Sequence, residues 1–83
     1  MIKIWDDEAW DDYLYWQSQD KKTLKKINDL IKSIDREGYK NAEPLKYEFS
    51  GLYSHRIDKY NRLVFKIENN SIYIFQCKTH YKK

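Results

Sequence analysis

Glutamate, histidine, arginine and lysine are the side chains with which this 83-residue chain could do chemistry. Its two histidines are His55 and His80, and its single cysteine, Cys77, lies three residues before His80. No carboxylate motif of metal-ligand spacing accompanies them, so neither a metal site nor a cofactor is expected. One cysteine also excludes an internal disulfide and a Cys-rich zinc site, and a free thiol suits a reducing compartment. A glycine-rich phosphate loop and a serine nucleophile elbow are both missing. Phosphate contact and acid–base work remain. Arg56 and Arg62 sharpen that reading. If both lie on polar faces of adjacent antiparallel strands, the three-residue loop 58–60 sets them directly opposite each other. Like charges so placed destabilise a sheet. Either an anion sits between them, or the register differs and both point to water.

The elements that must carry these residues read in order along the chain. Ile2 and Ile4 flank Lys3 ahead of Trp5, the pattern of a short first strand. Asp6 or Asp7 then caps a helix with Glu8, Asp11 and Asp12 near its positive end. Ala9, Tyr13 and Trp16 form its apolar stripe, widened by Trp10 and Leu14. Asp20 is the next cap, for a helix over 21–37. Its Leu24, Ile27, Ile31 and Ile34 recur at i, i+3, i+7 and i+10. Lys22, Lys25, Lys32 and Arg36 fall on nearly the opposite face, for solubility or for docking on phosphates. Gly38 ends this helix. Residues 39–46 read as a loop. A short strand over Lys46–Phe49, a turn at Gly51 and strands over 52–57, 62–67 and 71–77 follow. In the segment 62–67, Leu63, Phe65 and Ile67 share one face, and Arg62, Val64 and Lys66 the other. Ile72 to Phe75 are apolar on both faces, which places that strand inside the sheet. The fold class is α+β in the order β-α-α-β-β-β-β. Two helices cover one face of a mainly antiparallel sheet and leave the other free.

Length and composition bound the rest. Eighty-three residues make one domain, 1–83, with no linker or repeat. Of the hydrophobic 41%, eight residues are Tyr, so aromatics must complete the core. No stretch approaches the roughly 20 apolar residues that span a bilayer. The first residues run into Asp6, Asp7 and Glu8, unlike a signal peptide, and a cytoplasmic protein with no membrane partner is expected. Residues 1–20 carry one Lys against six acids, and the remainder fifteen Lys or Arg against seven. That asymmetry points to a polyanionic partner or to a solvated Lys-rich surface.

Several short motifs, taken together and in order, carry a family resemblance. They are Trp10-Asp11-Asp12-Tyr13-Leu14-Tyr15-Trp16-Gln17, Lys25-Lys26-Ile27-Asn28, Glu43-Pro44-Leu45-Lys46, Ser50-Gly51, Arg56-Ile57, Arg62-Leu63-Val64 and Cys77-Lys78-Thr79-His80-Tyr81. Over essentially its whole length the chain resembles the YoeB toxins, the Txe group within the RelE-like toxins of bacterial type II toxin–antitoxin systems. The resemblance implies a microbial-ribonuclease-like fold and cleavage of A-site messenger RNA on the ribosome. It further implies silencing by a YefM-type antitoxin, and leaves a homodimer open. Residue by residue it implies Glu43 as general base, Arg62 as phosphate stabiliser, His80 as general acid and Tyr81 as the neighbouring aromatic. Lys46 and Arg56 match supporting basic positions.

Three departures from the family pattern stand out. The segment Lys40-Asn41-Ala42 lacks the Gly and Pro often found there, His55 stands where Arg is common, and Lys82 and Lys83 follow Tyr81. The implied chemistry suits the residue types. A carboxylate takes the 2′-hydroxyl proton and an imidazole protonates the leaving 5′-oxygen, each contributing on the order of 10²–10⁴-fold. A guanidinium stabilises the pentavalent phosphorus. The products are a 2′,3′-cyclic phosphate or 3′-phosphate and a 5′-hydroxyl. A binding module that blocks translation by occupancy would not need Glu43, Arg62 and His80 together. A DNA-binding regulator lacks its helix-turn-helix pairing.

Overall fold

Strand β1 (Ile2–Trp5) leads directly into helix α1 (Asp7–Gln19), and Asp20 separates it from helix α2 (Lys21–Glu37). The structure, a computed structural model, describes residues 1–79. Asp20 caps α2 as its sequence requires, its carboxylate accepting from the backbone N–H groups of Lys22 and Thr23. Gly38 closes the helix at φ 63°, a left-handed conformation that costs glycine little.

Four strands follow: β2 (Glu43–Pro44), β3 (Tyr53–Arg56), β4 (Arg62–Glu68) and β5 (Ser71–Gln76). Their order across the sheet is β1-β5-β4-β3-β2. Only β1 and β5 run parallel, and every other pair is antiparallel. The strand expected to be interior, β5, lies between β1 and β4. Ala9 and Trp16 from α1 and Ile27, Ile31 and Ile34 from α2 pack with Leu63, Phe65, Ile72 and Ile74 of the sheet in one core. Trp10 and Leu14, which were expected to widen the α1 stripe, stay exposed at its rim.

Two expectations need correction. The strand foreseen over Lys46–Phe49 is a single 3₁₀ turn over Tyr47–Phe49, and the pairing occurs earlier, at Glu43–Pro44. Tyr47 takes φ 58°, outside the extended region, so the segment cannot continue as a strand. Pro44 is tolerated because β2 is an edge strand with no further neighbour for its missing N–H. The face away from the helices is also not bare. Leu45, Ser54 and Val64 are buried on it at neighbouring register positions, Val64 at 2% exposure.

Candidate active site on the open face of the sheet

Antiparallel pairing places partners on the same face of a sheet, and side chains alternate along each strand. Glu43 pairs with Ser54, Ser54 with Val64, and Val64 with Gln76, so these four cross the open face in one row. Arg56 and Arg62 are direct partners and form the next row. Two residues along a strand span roughly 7 Å, so Glu43 stands one row from the arginine pair. The register inferred from the three-residue loop is the one observed. Lys46 stands just beyond β2, in a shallow concavity of about 420 Å³ that Glu43, Leu45, Tyr47 and Phe49 also line.

Two guanidinium groups face to face need compensation, and the β3–β4 loop supplies it. The carbonyl oxygen of Asp58 accepts from Arg56 Nε at 3.3 Å and from an Arg62 terminal nitrogen at 3.0 Å. The same Arg62 nitrogen donates to the Asn61 carbonyl at 3.2 Å. The Asp58 carboxylate accepts from the Tyr60 and Asn61 backbone N–H groups, both at 2.8 Å, and from the Asn61 side-chain amide. Burial alone would raise the Asp58 carboxyl. Hydrogen bonds from Asn61 and Tyr60 and the charge of Arg56 outweigh it and hold the group below the ordinary carboxylate range.

Thr79, three residues beyond β5, docks on this loop. Thr79 donates its N–H to Asn61 Oδ1 at 2.6 Å, and its carbonyl accepts from the Arg62 N–H at 3.0 Å. Helix α1 holds the preceding residues. Trp16 Nε1 donates to the Cys77 carbonyl at 2.8 Å, Asp12 accepts from the Cys77 N–H at 3.0 Å, and the Lys78 ammonium sits 3.8 Å from the centre of the Tyr15 ring. His80 and Tyr81 lie outside the described residues; of the expected set the structure places Glu43 and Lys46 along one concavity and Arg56 opposite Arg62 in the next row of the sheet. Asp58, Asn61, Gln76 and Thr79 went unnoticed in the sequence. Only the Asp58-Lys59-Tyr60-Asn61 turn composition could have signalled the first two.

His55 points to the helix side, paired with Leu63 and stacked on Phe65 with ring centres 5.6 Å apart. Burial, and then the Lys26 charge, push its pKa below the usual imidazole value. The Arg56 face is therefore not where His55 acts. Burial also pushes the Cys77 thiol up to about 12, with the Asp12 charge adding to it, which makes it a poor nucleophile. Among the described residues, no three His, Cys, Asp or Glu side chains gather as metal ligands, and no helix is long and apolar enough to cross a membrane.

The sequence and fold have clear relatives. Toxin YoeB of Escherichia coli K12 is 49% identical over 84 aligned positions, spanning 98% of this chain and all of its own. A YoeB/ParE toxin from Agrobacterium tumefaciens superposes with a TM-score of 0.93 at 35% identity, covering 98% of this chain and 100% of its own. Staphylococcus aureus YoeB, solved as a YoeB–YefM complex and as a YoeB dimer, superposes at 0.90 with 42% and 44% identity, covering 98% of each chain. The family model for the YoeB-like toxin of bacterial type II toxin–antitoxin systems matches residues 5–81. With a family model, a full-length sequence likeness and a fold that agree, the chain belongs to the YoeB-like toxins of bacterial type II toxin–antitoxin systems.

Proposed function

We propose that this toxin is a ribosome-dependent, metal-independent messenger-RNA endoribonuclease. The observation that carries the reading is the Arg56–Arg62 pair on the face that also bears Glu43, with Thr79 bonded to the Arg62 backbone. A phosphodiester is the anion such a pair suits, because each guanidinium can present two N–H groups to phosphate oxygens. Glu43 takes the proton from a ribose 2′-hydroxyl, whose oxygen then attacks the adjacent phosphorus. Arg62 and Arg56 neutralise the charge that builds on the phosphoryl oxygens, and Lys46 adds a cation at the mouth of the concavity. His80 protonates the departing 5′-oxygen, and Tyr81 flanks the reacting nucleotide. The ends are a 2′,3′-cyclic phosphate or 3′-phosphate and a 5′-hydroxyl. The Asp58 carbonyl that both arginines contact offsets part of their mutual repulsion.

A YefM-like antitoxin silences the enzyme by laying an acidic segment, disordered until bound, across this basic face. The A-site messenger on the ribosome is the substrate, the setting is the cytoplasm, and the free toxin forms a homodimer as S. aureus YoeB does. The deciding experiment is single-turnover cleavage of ribosome-bound messenger by Glu43→Gln and His80→Gln. Each should bind ribosomes like the parent and lose about 10²–10⁴-fold in rate. Translation inhibition that survives both substitutions undiminished would mean blocking by occupancy, and would overturn the catalytic reading.

A further inference from the structure

Thr79 is held in a conformation it would not choose. Its φ is 61°, in the left-handed region that β-branched residues rarely enter. Its hydrogen bonds help to keep it there: its N–H donates to Asn61 Oδ1 at 2.6 Å, its carbonyl accepts from the Arg62 N–H at 3.0 Å and from Gln76 Nε2 at 3.2 Å, and its hydroxyl donates to the Lys78 carbonyl at 2.6 Å. A residue so over-determined, one peptide bond before His80, is a place to look for function.

The hydrogen-bond chain behind it runs to a single loop residue. An ionised carboxylate only accepts, so Asn61 must turn its amide N–H₂ toward Asp58, which it meets at 3.0 Å from both oxygens. That leaves Asn61 Oδ1 facing the Thr79 N–H. Meanwhile the Asp58 carbonyl receives donors from Arg56 and Arg62. One residue thus fixes the phosphate-binding guanidinium groups through its backbone and the chain end through its side chain. We infer that Asp58 and Asn61 are positioning residues that hold the segment bearing His80 in register with Arg62. This rests on His80 serving as the general acid. Neither residue touches substrate. They fix Thr79, the residue that precedes His80, and acid–base transfer is steeply sensitive to placement.

The test is a double-mutant cycle on the full chain. Asn61→Ala should slow single-turnover cleavage of ribosome-bound messenger by about 10–100-fold, leave ribosome affinity within about twofold, and speed amide exchange at Thr79. Made in the His80→Gln background, the same change should alter the rate by less than about twofold, because the arm then carries no acid. Exchanging the two groups, Asp58→Asn with Asn61→Asp, keeps an amide–carboxylate bond and an acceptor for Thr79, and should recover most of the lost rate. Should Asn61→Ala not fold, Thr79→Pro serves instead, since it removes the donor and forbids the conformation at an exposed position. Effects that multiply in the His80→Gln background, or Thr79 exchange unaltered by Asn61→Ala, overturn the inference and leave the endoribonuclease reading standing. Parent-like cleavage by His80→Gln removes both.

Discussion

Arg56→Gln should make the free protein more stable and the toxin weaker. Both guanidinium groups reach one carbonyl oxygen, at 3.3 and 3.0 Å, so the two donor nitrogens lie closer than the sum of those distances. Two unit charges ~6 Å apart repel by about 0.7 kcal/mol in water and by about 3 kcal/mol at an effective dielectric constant of 20. Arg56 is exposed and the Asp58 carboxylate attracts it, so the low end applies. Removing the charge should therefore stabilise the domain by about 0.5–1 kcal/mol, or raise Tm by about 2–8 °C for a chain this size. Thermal melts at low and high salt are the assay, because screening should shrink the gain above about 0.5 M salt. In parallel, the log–log salt dependence of RNA affinity should flatten by about one unit, as one phosphate contact is lost. A variant that is less stable by more than about 1 kcal/mol, equally so at all salt concentrations, would show that Arg56 is structural and that the pair stores no repulsion.

Other perturbations probe the elements around the site. Trp16→Phe deletes the donor to the buried Cys77 carbonyl and should destabilise by about 1–3 kcal/mol; an unchanged thermal midpoint would contradict that. Cys77, with its thiol pushed up to about 12, should resist thiol-reactive dyes at pH 8 until urea unfolds the chain, and native reactivity like that of free cysteine would refute its burial. Asp12 has its carboxyl pKa raised, chiefly by burial, so its charged form opposes folding above that raised value. Asp12→Asn keeps an acceptor for Cys77 and should be more stable than the parent near pH 7 in urea titrations. The difference should fade as pH falls through the raised pKa toward the ordinary carboxylate range. A parent more stable at pH 7 would reverse the sign. Tyr47→Asn puts a residue that accepts φ near 58° at an 87% exposed position, and should gain about 0.5–1 kcal/mol by chemical denaturation. A loss would place Tyr47 in a contact that outweighs its strain.

What the sequence could reveal follows from how local each signal is. Helix α2 was legible because four apolar residues, an aspartate cap and a terminal glycine all agree within one segment. The opposition of Arg56 and Arg62 was legible because a three-residue loop fixes register. Strand alternation even sorts His55 from Arg56, since consecutive residues point to opposite faces. The short strand read over Lys46–Phe49 failed, because one left-handed residue, Tyr47, makes that segment a turn, and alternation could not show that Val64 is buried on the second face. The bond from Asn61 to Thr79 joins residues eighteen apart through side-chain geometry, which no period or spacing encodes. The roles proposed for Glu43 and His80 come from the family resemblance, not from physical pattern.

Strain is distributed in this molecule in a way that marks the site. Among the described residues five non-glycine positions have positive φ: Asn41, Tyr47, Asn69, Asn70 and Thr79. Asn69 and Asn70 form the β4–β5 hairpin turn, where asparagine accepts that conformation readily. Asn41 suits it for the same reason. Tyr47 and Thr79 do not, and each costs on the order of 1–2 kcal/mol. One adjoins Lys46 and the other adjoins His80. The core offsets them: burying a Phe or Ile side chain is worth about 1.5–3 kcal/mol, and Ile27, Ile34, Phe65, Ile72 and Ile74 are all fully buried on the helix side. The two faces of the sheet therefore divide the work. The helix face supplies stability with residues that local pattern predicts. The open face holds the opposed charges of Arg56 and Arg62, which the Asp58 carbonyl offsets only in part and which an anion would offset further.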